Sequence, residues 1–301
     1  MKLLVVYNPF SRNNKIEKNK KLIINKLSKK YEVIDFYKTQ GQRSITKYII
    51  NHISNYDLLI VSGGDGTINE AISGVVEANF NEAVYIIPSG TINDLSHVLG
   101  YTKSIKKSLN NILNNTFVKM DICKINDKYF SYAAACGKYS DVSYKAKGII
   151  KKIFGPLAYL FCGVKEFFNY TKLDLKITSN DNIVNGSYYV IFLLNTKRVA
   201  GFYIDKKKNI KLNDGLIDLV LINKSKITWP RLLRFFLLGN KAKRGIDIIS
   251  SNHFIIESKE ELDINTDGEL AFKASKLEID VLKEKVNFSV SQKIKNKYFQ
   301  K

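Results

Sequence analysis

The chain is predicted to fold as an N-terminal doubly wound α/β domain, followed by an antiparallel β-sandwich with helical inserts. Three observations lead there. Residues 1–122 alternate short apolar runs with helical spacing. A glycine loop, Gly63-Gly64-Asp65-Gly66-Thr67, joins one such run to one such helix. From Ile122 onward strand-like runs follow one another with little helix between them.

Taken in order, Leu3–Tyr7 reads as a buried strand ended by Asn8-Pro9, and Ile16–Leu27 has helical spacing. Tyr31–Tyr37 alternates as a second strand and Ser44–Ile53 forms a second helix. Leu58–Val61 is the third strand, Ile68–Val76 the third helix and Ala83–Ile87 the fourth strand. Ile68, Ala71, Ile72 and Val75 fall on one helical face. Strands separated by helices of this length make βαβ units and a parallel sheet. Ligands of such sheets bind at the carboxyl ends of the strands. Asn8-Pro9, Thr39-Gln40-Gly41, the glycine loop and Ser89-Gly90-Thr91 all fall at those ends.

The second part is expected over residues 123–282, with the tail near 283–301 free to pack back on the first. Its strands are Ile122–Ile125, Tyr129–Ala135, Leu173–Thr178, Ser187–Asn195, Leu216–Ile222, Phe254–Ser258, Leu262–Thr266 and Lys276–Val281. Turns such as Asn213-Asp214-Gly215 and Asp267-Gly268 join them. Eight strands with few helices suit a sandwich. Two inserts, Tyr144–Lys172 and Lys224–Arg244, read as helical, basic and aromatic-rich.

A length of 301 residues and 45% hydrophobic composition suit a globular protein of two domains. The net charge of +20 predicts attraction to a polyanion. The first insert carries six Lys against one Glu, and the second four Lys and three Arg without an acid. The charge is therefore concentrated there, beside apolar groups such as Phe167, Phe168, Trp229 and Phe235. That pattern suits the plane of an anionic membrane surface; packing of both inserts on the sandwich explains it too. No nucleic acid is expected, because neither a reading motif nor a strip of stacking aromatics is present. Cys123, Cys136 and Cys162 are odd in number and set in apolar contexts, as reduced core thiols of a cytosolic protein would be. The apolar run after Met1-Lys2 is too short for a secretory signal, and the longest apolar stretch, from Ile153 to Val164, is too short to span a bilayer.

The glycine loop carries the chemistry. A backbone bare of Cβ atoms lets N–H groups approach an anion, and the following helix adds favourable partial charge. One carboxylate, Asp65, left among the glycines makes sense if a cation accompanies a phosphate.

With Glu70 and Ser89-Gly90-Thr91-Ile92-Asn93-Asp94, this loop resembles the catalytic domain of bacterial soluble diacylglycerol kinases and their lipid-kinase relatives. The wider superfamily includes sphingosine kinases and NAD kinases. Asn213-Asp214-Gly215-Leu216-Ile217-Asp218 resembles the family's Asp-Gly-x-x-Asp signature, Asp267-Gly268-Glu269 its Asp-Gly-Glu turn, and Gly155-Pro156-Leu157-Ala158-Tyr159 its Gly-Pro-x-x-Tyr helix. Two turns depart from the pattern. Ser11 is followed by Arg12-Asn13-Asn14 rather than glycine, and Thr39-Gln40-Gly41-Gln42-Arg43 lacks the usual Gly-Asp-Ala.

The resemblance implies an ATP- and Mg²⁺-dependent lipid kinase with its site in a cleft between two domains. Gly63, Gly64, Gly66, Thr67, Gly90 and Thr91 would contact phosphates, with Asn8 and Thr39 on the nucleotide. Asp65 would hold Mg²⁺, with Asp94 and Asp121 in the same network; as the lesser reading Asp94 only caps a following helix, and Asp121 is as readily a plain interdomain hydrogen-bonder. Glu269 would be the general base and Asp267 would complete the acidic cluster. Asp214, helped by the Leu216 carbonyl, would hold a structural Mg²⁺; turn chemistry explains Asp214 without metal. Diacylglycerol is the first substrate expected. Phosphatidylglycerol, a long-chain base and, for an NAD kinase-like enzyme, a soluble substrate are the alternatives, alongside a nonenzymatic binding module. The expected location is the cytoplasmic face of the membrane, with a homodimer possible.

Overall fold

The computed structural model describes residues 1–11, 14–137, 173–180, 182–196, 198–199, 202–203, 211–223 and 245–300. Both basic inserts, the Gly155–Tyr159 motif and Cys162 lie outside them. The chain divides into two compact units. One is Met1–Ile122 with Lys211–Asp214 and Leu282–Lys301; the other is Cys123–Ile210 with Gly215–Val281.

In the first unit β1 (Lys2–Tyr7), β2 (Val33–Lys38), β3 (Leu58–Gly63) and β4 (Ala83–Pro88) form a parallel sheet in the order β2-β1-β3-β4. β3 and β4 are buried at every position, as central strands covered on both faces must be; the outer side of β4 is flanked by a later strand, where Phe288 pairs with Val84. β2 lies at an edge and alternates in exposure, which is why its sequence alternates too. Helices α1 (Lys15–Leu27), α2 (Ser44–His52) and α3 (Asp65–Glu77) connect the strands. The predicted face of α3, Ile68, Ala71, Ile72 and Val75, is buried throughout. α2 and α3 approach closely at Gly74, where a Cβ would lie 2.9 Å from that of Ile49.

Two further helices follow: α4 (Asp94–Val98), the helix allowed for at Asp94, and α5 (Ile105–Asn114), which was not anticipated. α5 has a readable start, because the Ser104 hydroxyl accepts the Lys107 N–H. The unit is completed by chain from far away. Leu212 accepts the Asp121 N–H and donates to the Tyr298 carbonyl of α6 (Gln292–Tyr298), both at 2.8 Å. These bonds place Lys211–Asp214 in the first unit, whereas the sequence suggested a continuous second domain.

The second unit is antiparallel. It contains the end of β5 (Thr116–Ile125), then β6 (Lys128–Phe130), β7 (Ala133–Gly137), β8 (Leu173–Ser179) and β9 (Ile183–Leu194). A short ribbon of β10 (Arg198–Val199) and β11 (Phe202–Tyr203) follows, then β12 (Ile217–Asn223), β13 (Ile246–Ser251), β14 (His253–Thr266) and, up to Val281, β15 (Glu269–Val290). β9 pairs with β8 along its first half and with β7 and β12 along its second. β14 likewise pairs with β8 and then with β7. Strands that change partners in this way wrap the sheet around one apolar core, which includes Phe130, Tyr188, Phe254, Leu262 and Ile279.

Three strand expectations need correction. Phe254–Ser258 and Leu262–Thr266 are one strand with a register shift between Glu257 and Leu262, so Lys259-Glu260-Glu261 is a bulge rather than a turn. Tyr129–Ala135 is two strands, because the Ser131 and Tyr132 amides leave the ladder to bond Asp267. Lys276–Val281 is only a fragment of β15.

Cys123 and Cys136 are buried and carry no disulfide. Burial pushes the Cys136 thiol up to about 12. The thiolate is the nucleophile, so at pH 8 only about one molecule in 10⁴ presents it. Cys136 should therefore resist iodoacetamide at pH 8 until denaturant is added. Mass-spectrometric labelling of the native chain at the rate of an unfolded one would contradict this placement.

Candidate functional site

Three turns of the first unit meet at the carboxyl ends of β1, β3 and β4. Asn8 follows β1 and donates its N–H to the Ser62 carbonyl on β3 at 3.0 Å. Gly63 closes β3 and accepts the N–H groups of Ser89 and Gly90 at 2.9 and 3.2 Å. The glycines are there for space. A Cβ on Gly63 would sit 2.2 Å from the Thr67 Cβ, and one on Gly90 would sit 2.6 Å from the Gly64 Cα. The two loops thus pass backbone against backbone.

Gly64 is the N-cap position of α3 and supplies no side-chain cap. The first intrahelical bond runs from the Ile68 N–H to the Gly64 carbonyl at 3.0 Å. The Gly66 and Thr67 amides therefore project from the helix end, where the peptide dipoles favour an anion. Thr67 Oγ1 also lies 3.5 Å from Asn8 Nδ2, which joins the β1 turn to the same loop. Thr39 Oγ1 is engaged with Ser44 Oγ at 2.7 Å and the Gly41 carbonyl at 3.0 Å, shaping the turn into α2. Thr91 is exposed beside Gly90.

Asp65 has a definite task in this arrangement. Its two carboxylate oxygens accept the Asn93 and Asp94 N–H groups at 3.0 and 3.1 Å, at the start of α4. Asp94 is fully buried in the first turn of α4, and Asn93 takes the cap position at a φ of 54°. Asn93 in turn clamps Gly90, accepting its N–H at 3.0 Å and donating to its carbonyl at 2.6 Å. Sequence reasoning gave Asn93 no role; the tolerance of asparagine for left-handed backbone was the available signal.

Two ammonium groups were also missed. Lys103 Nζ donates to the Gly90 carbonyl at 3.2 Å, and Lys15 Nζ to the Lys103 carbonyl at 2.7 Å. Burial, and then the charge of Lys103, hold the Lys15 ammonium below its ordinary value. Positive charge is thus stationed at the rim of an anion-accepting loop.

Comparison with known proteins fits this geometry. Residues 2–125 match the model of the diacylglycerol kinase catalytic domain. Diacylglycerol kinases of Staphylococcus aureus strains bovine RF122 / ET3-1 and MRSA252 are each 31% identical over 269 residues, covering 88% of this chain and 85% of theirs. The chain belongs to the diacylglycerol kinase family. It is a lipid kinase by that membership. A crystal structure of a diacylglycerol kinase from Bacillus anthracis str. Sterne aligns over 97% of this chain and 98% of its own, with a TM-score of 0.75 and 21% identity. A second Bacillus anthracis structure, provisionally assigned the same activity, covers 97% and 96% with a TM-score of 0.84 and 24% identity. At these identities the structural likeness speaks for the fold alone.

The remaining acids of this kinase fall into separate settings. Asp121 is buried, and its Oδ1 accepts the Glu284 N–H at 2.7 Å. Asn213 Nδ2 donates to Glu284 Oε1 at 3.2 Å, and Asn213 Oδ1 accepts the Gln300 N–H at 2.7 Å. Asp121 and the 211–214 turn therefore share a scaffold with the C-terminal segment. Asp214, partly exposed, ends that turn. Leu216, 46% exposed, stands after Gly215 in the second unit. Among the described residues no group of three ligating side chains includes Asp65, Asp94, Asp121 or Asp214. An Mg²⁺ ion held at Asp65 would keep waters and phosphate oxygens as most of its ligands, as Mg²⁺ ordinarily does.

In the second unit, Asp267 is 2% exposed and accepts four hydrogen bonds. The donors are the Ser131 N–H and Oγ at 2.8 Å, the Tyr132 N–H at 3.0 Å and the Ala133 N–H at 3.1 Å. The carboxylate holds its own turn, a structural task beside the catalytic one expected of it. Asp267 and Gly268 have φ of 47° and 89°, as a two-residue type I′ hairpin requires. Thr266 and Glu269 pair across that hairpin, so Glu269 opens β15.

Proposed function

We propose that this chain transfers the γ-phosphoryl group of ATP, with Mg²⁺, to the hydroxyl of a membrane lipid, diacylglycerol first, forming phosphatidic acid. The interlocked Gly63-Gly64 and Gly90 turns, in a member of this kinase family, carry the reading. Amides of Gly66 and Thr67 receive phosphate oxygens at the α3 terminus, while Thr91 and Asn8 contact the nucleotide's polar groups. Lys15 and Lys103 add positive charge near the same loop. Bound Mg²⁺ would neutralise the phosphate charge that develops in transfer, held through Asp65 and its waters. Glu269 accepts the proton that the attacking hydroxyl must lose, and Asp267 fixes the turn that presents it.

Lipid reaches the protein at an anionic bilayer surface, with the basic inserts as the proposed contact and peripheral attachment as the proposed location. No helix among the described residues is long and apolar enough to cross a membrane. The deciding experiment supplies labelled ATP and Mg²⁺ with vesicles of diacylglycerol in phosphatidylcholine, in phosphatidylglycerol, and with NAD in the absence of lipid. Labelled phosphatidic acid, lost on chelation and reduced by high salt on the anionic vesicles, is the expected product. Labelled NADP without lipid would replace the reading with a soluble-substrate kinase.

A further inference from the structure

β14 and β15 place three potential metal ligands on one face of a strand pair, outside every residue assigned above to phosphoryl transfer. His253 lies opposite Asp280 in the register, and Glu278 lies opposite Ile255. Residues two apart on a strand share a face, so Glu278 and Asp280 stand side by side with His253 across from them. Ligand atoms of the three lie within 4.8 Å of one another. His253 Nδ1 is 2.8 Å from Asp280 Oδ1.

The strand pair beneath the trio is rigid, and no described lysine or arginine pairs with its carboxylates. The intervening residues Phe254, Ile256, Leu277 and Ile279 are completely buried in the core, which fixes the strand pair beneath the trio. The Glu278 backbone is pinned on both sides by Asn126, at 2.8 Å each. The chain has 48 Lys and Arg against 28 Asp and Glu, yet no described lysine or arginine pairs with Glu278 or Asp280. Neighbouring carboxylates on one face repel unless a cation joins them.

We infer that His253, Glu278 and Asp280 form a half-open site for a first-row divalent ion of the Zn²⁺ type. An imidazole nitrogen with two carboxylate oxygens is a Zn²⁺ donor set, with water left for the fourth position. Donors bound tetrahedrally at about 2.1 Å stand about 3.4 Å apart, which side-chain rotation can reach from the observed spacing. Imidazole disfavours Mg²⁺, which prefers oxygen alone. Bound metal would fasten β14 to β15, the strand that Glu269 opens.

The test uses the full untagged chain, stripped of metal. Zn²⁺ is titrated against a chromophoric chelator, and Co²⁺ binding is followed by its visible d–d bands, for wild type, His253→Gln and Asp280→Asn. One equivalent should bind the wild type, with affinity falling at least about tenfold in each variant and the Co²⁺ bands changing in His253→Gln. Unfolding curves of the metal-free proteins check that both variants fold. Unchanged affinity in the folded variants, or a wild type that binds no equivalent at tens of micromolar metal, overturns the site.

Discussion

Glutamine in place of Glu269 is expected to lower kcat by about 10²- to 10⁴-fold while leaving the unfolding transition where it is. The substitution keeps the length and shape of the side chain and takes away only its capacity to accept a proton. The backbone has no reason to change, because the hairpin is set by Asp267 and Gly268, whose φ of 47° and 89° match a two-residue turn. Thr266 and Glu269 pair on either side of it. Turnover at saturating ATP and vesicle lipid, measured beside a urea melt, separates chemistry from folding. Wild-type turnover in the variant would remove Glu269 from the role of base.

Asp267→Ala should show the opposite pattern, in which stability falls first. The alanine leaves four donors of residues 131–133 without their acceptor in a place where the aspartate is 2% exposed. Each unsatisfied buried donor costs about 1–3 kcal/mol, and water entering the gap recovers part of that. Alanine must also hold a left-handed backbone that aspartate tolerates better, at about 1 kcal/mol. A net loss on the order of 4 kcal/mol in urea unfolding is expected. Asp267→Asn, which retains one acceptor oxygen and the backbone preference, should lose about half as much. A shift within about 0.5 kcal/mol for alanine, the range of an ordinary surface substitution, would refute the bracing role.

Legibility in the sequence followed the range of the interaction responsible. Leu58–Val61 and Ala83–Ile87 could be read because β3 and β4 are buried at every position, so their apolar runs are continuous. The glycine loop was legible for a local reason: three glycines crowd four positions, and the structure shows what they make room for. The role of Asp267 was hidden because its donors come from Ser131, Tyr132 and Ala133, more than 130 residues away in the chain. The same distance explains why Tyr129–Ala135 looked like one strand. Its break serves a carboxylate that no local pattern announces. At β14, a polar Lys259-Glu260-Glu261 between apolar runs looks like a turn, yet extended backbone carries it through as a bulge. The 211–214 turn joins the first unit because the partners of Leu212, Asp121 and Tyr298, lie about 90 residues before and after it in the sequence.

The close passage of the two glycine turns also has a genetic side. Any base change in a glycine codon that alters the amino acid adds at least a Cβ. At Gly63 that carbon arrives 2.2 Å from the Thr67 Cβ, and at Gly90 it arrives 2.6 Å from the Gly64 Cα. At Gly64 it would meet its nearest neighbour at 3.5 Å, an ordinary contact. Of two adjacent codons, then, one has no silent alternative at the protein level and the other has at least alanine. A saturation library scored for folded, soluble protein should show that boundary between positions 63 and 64.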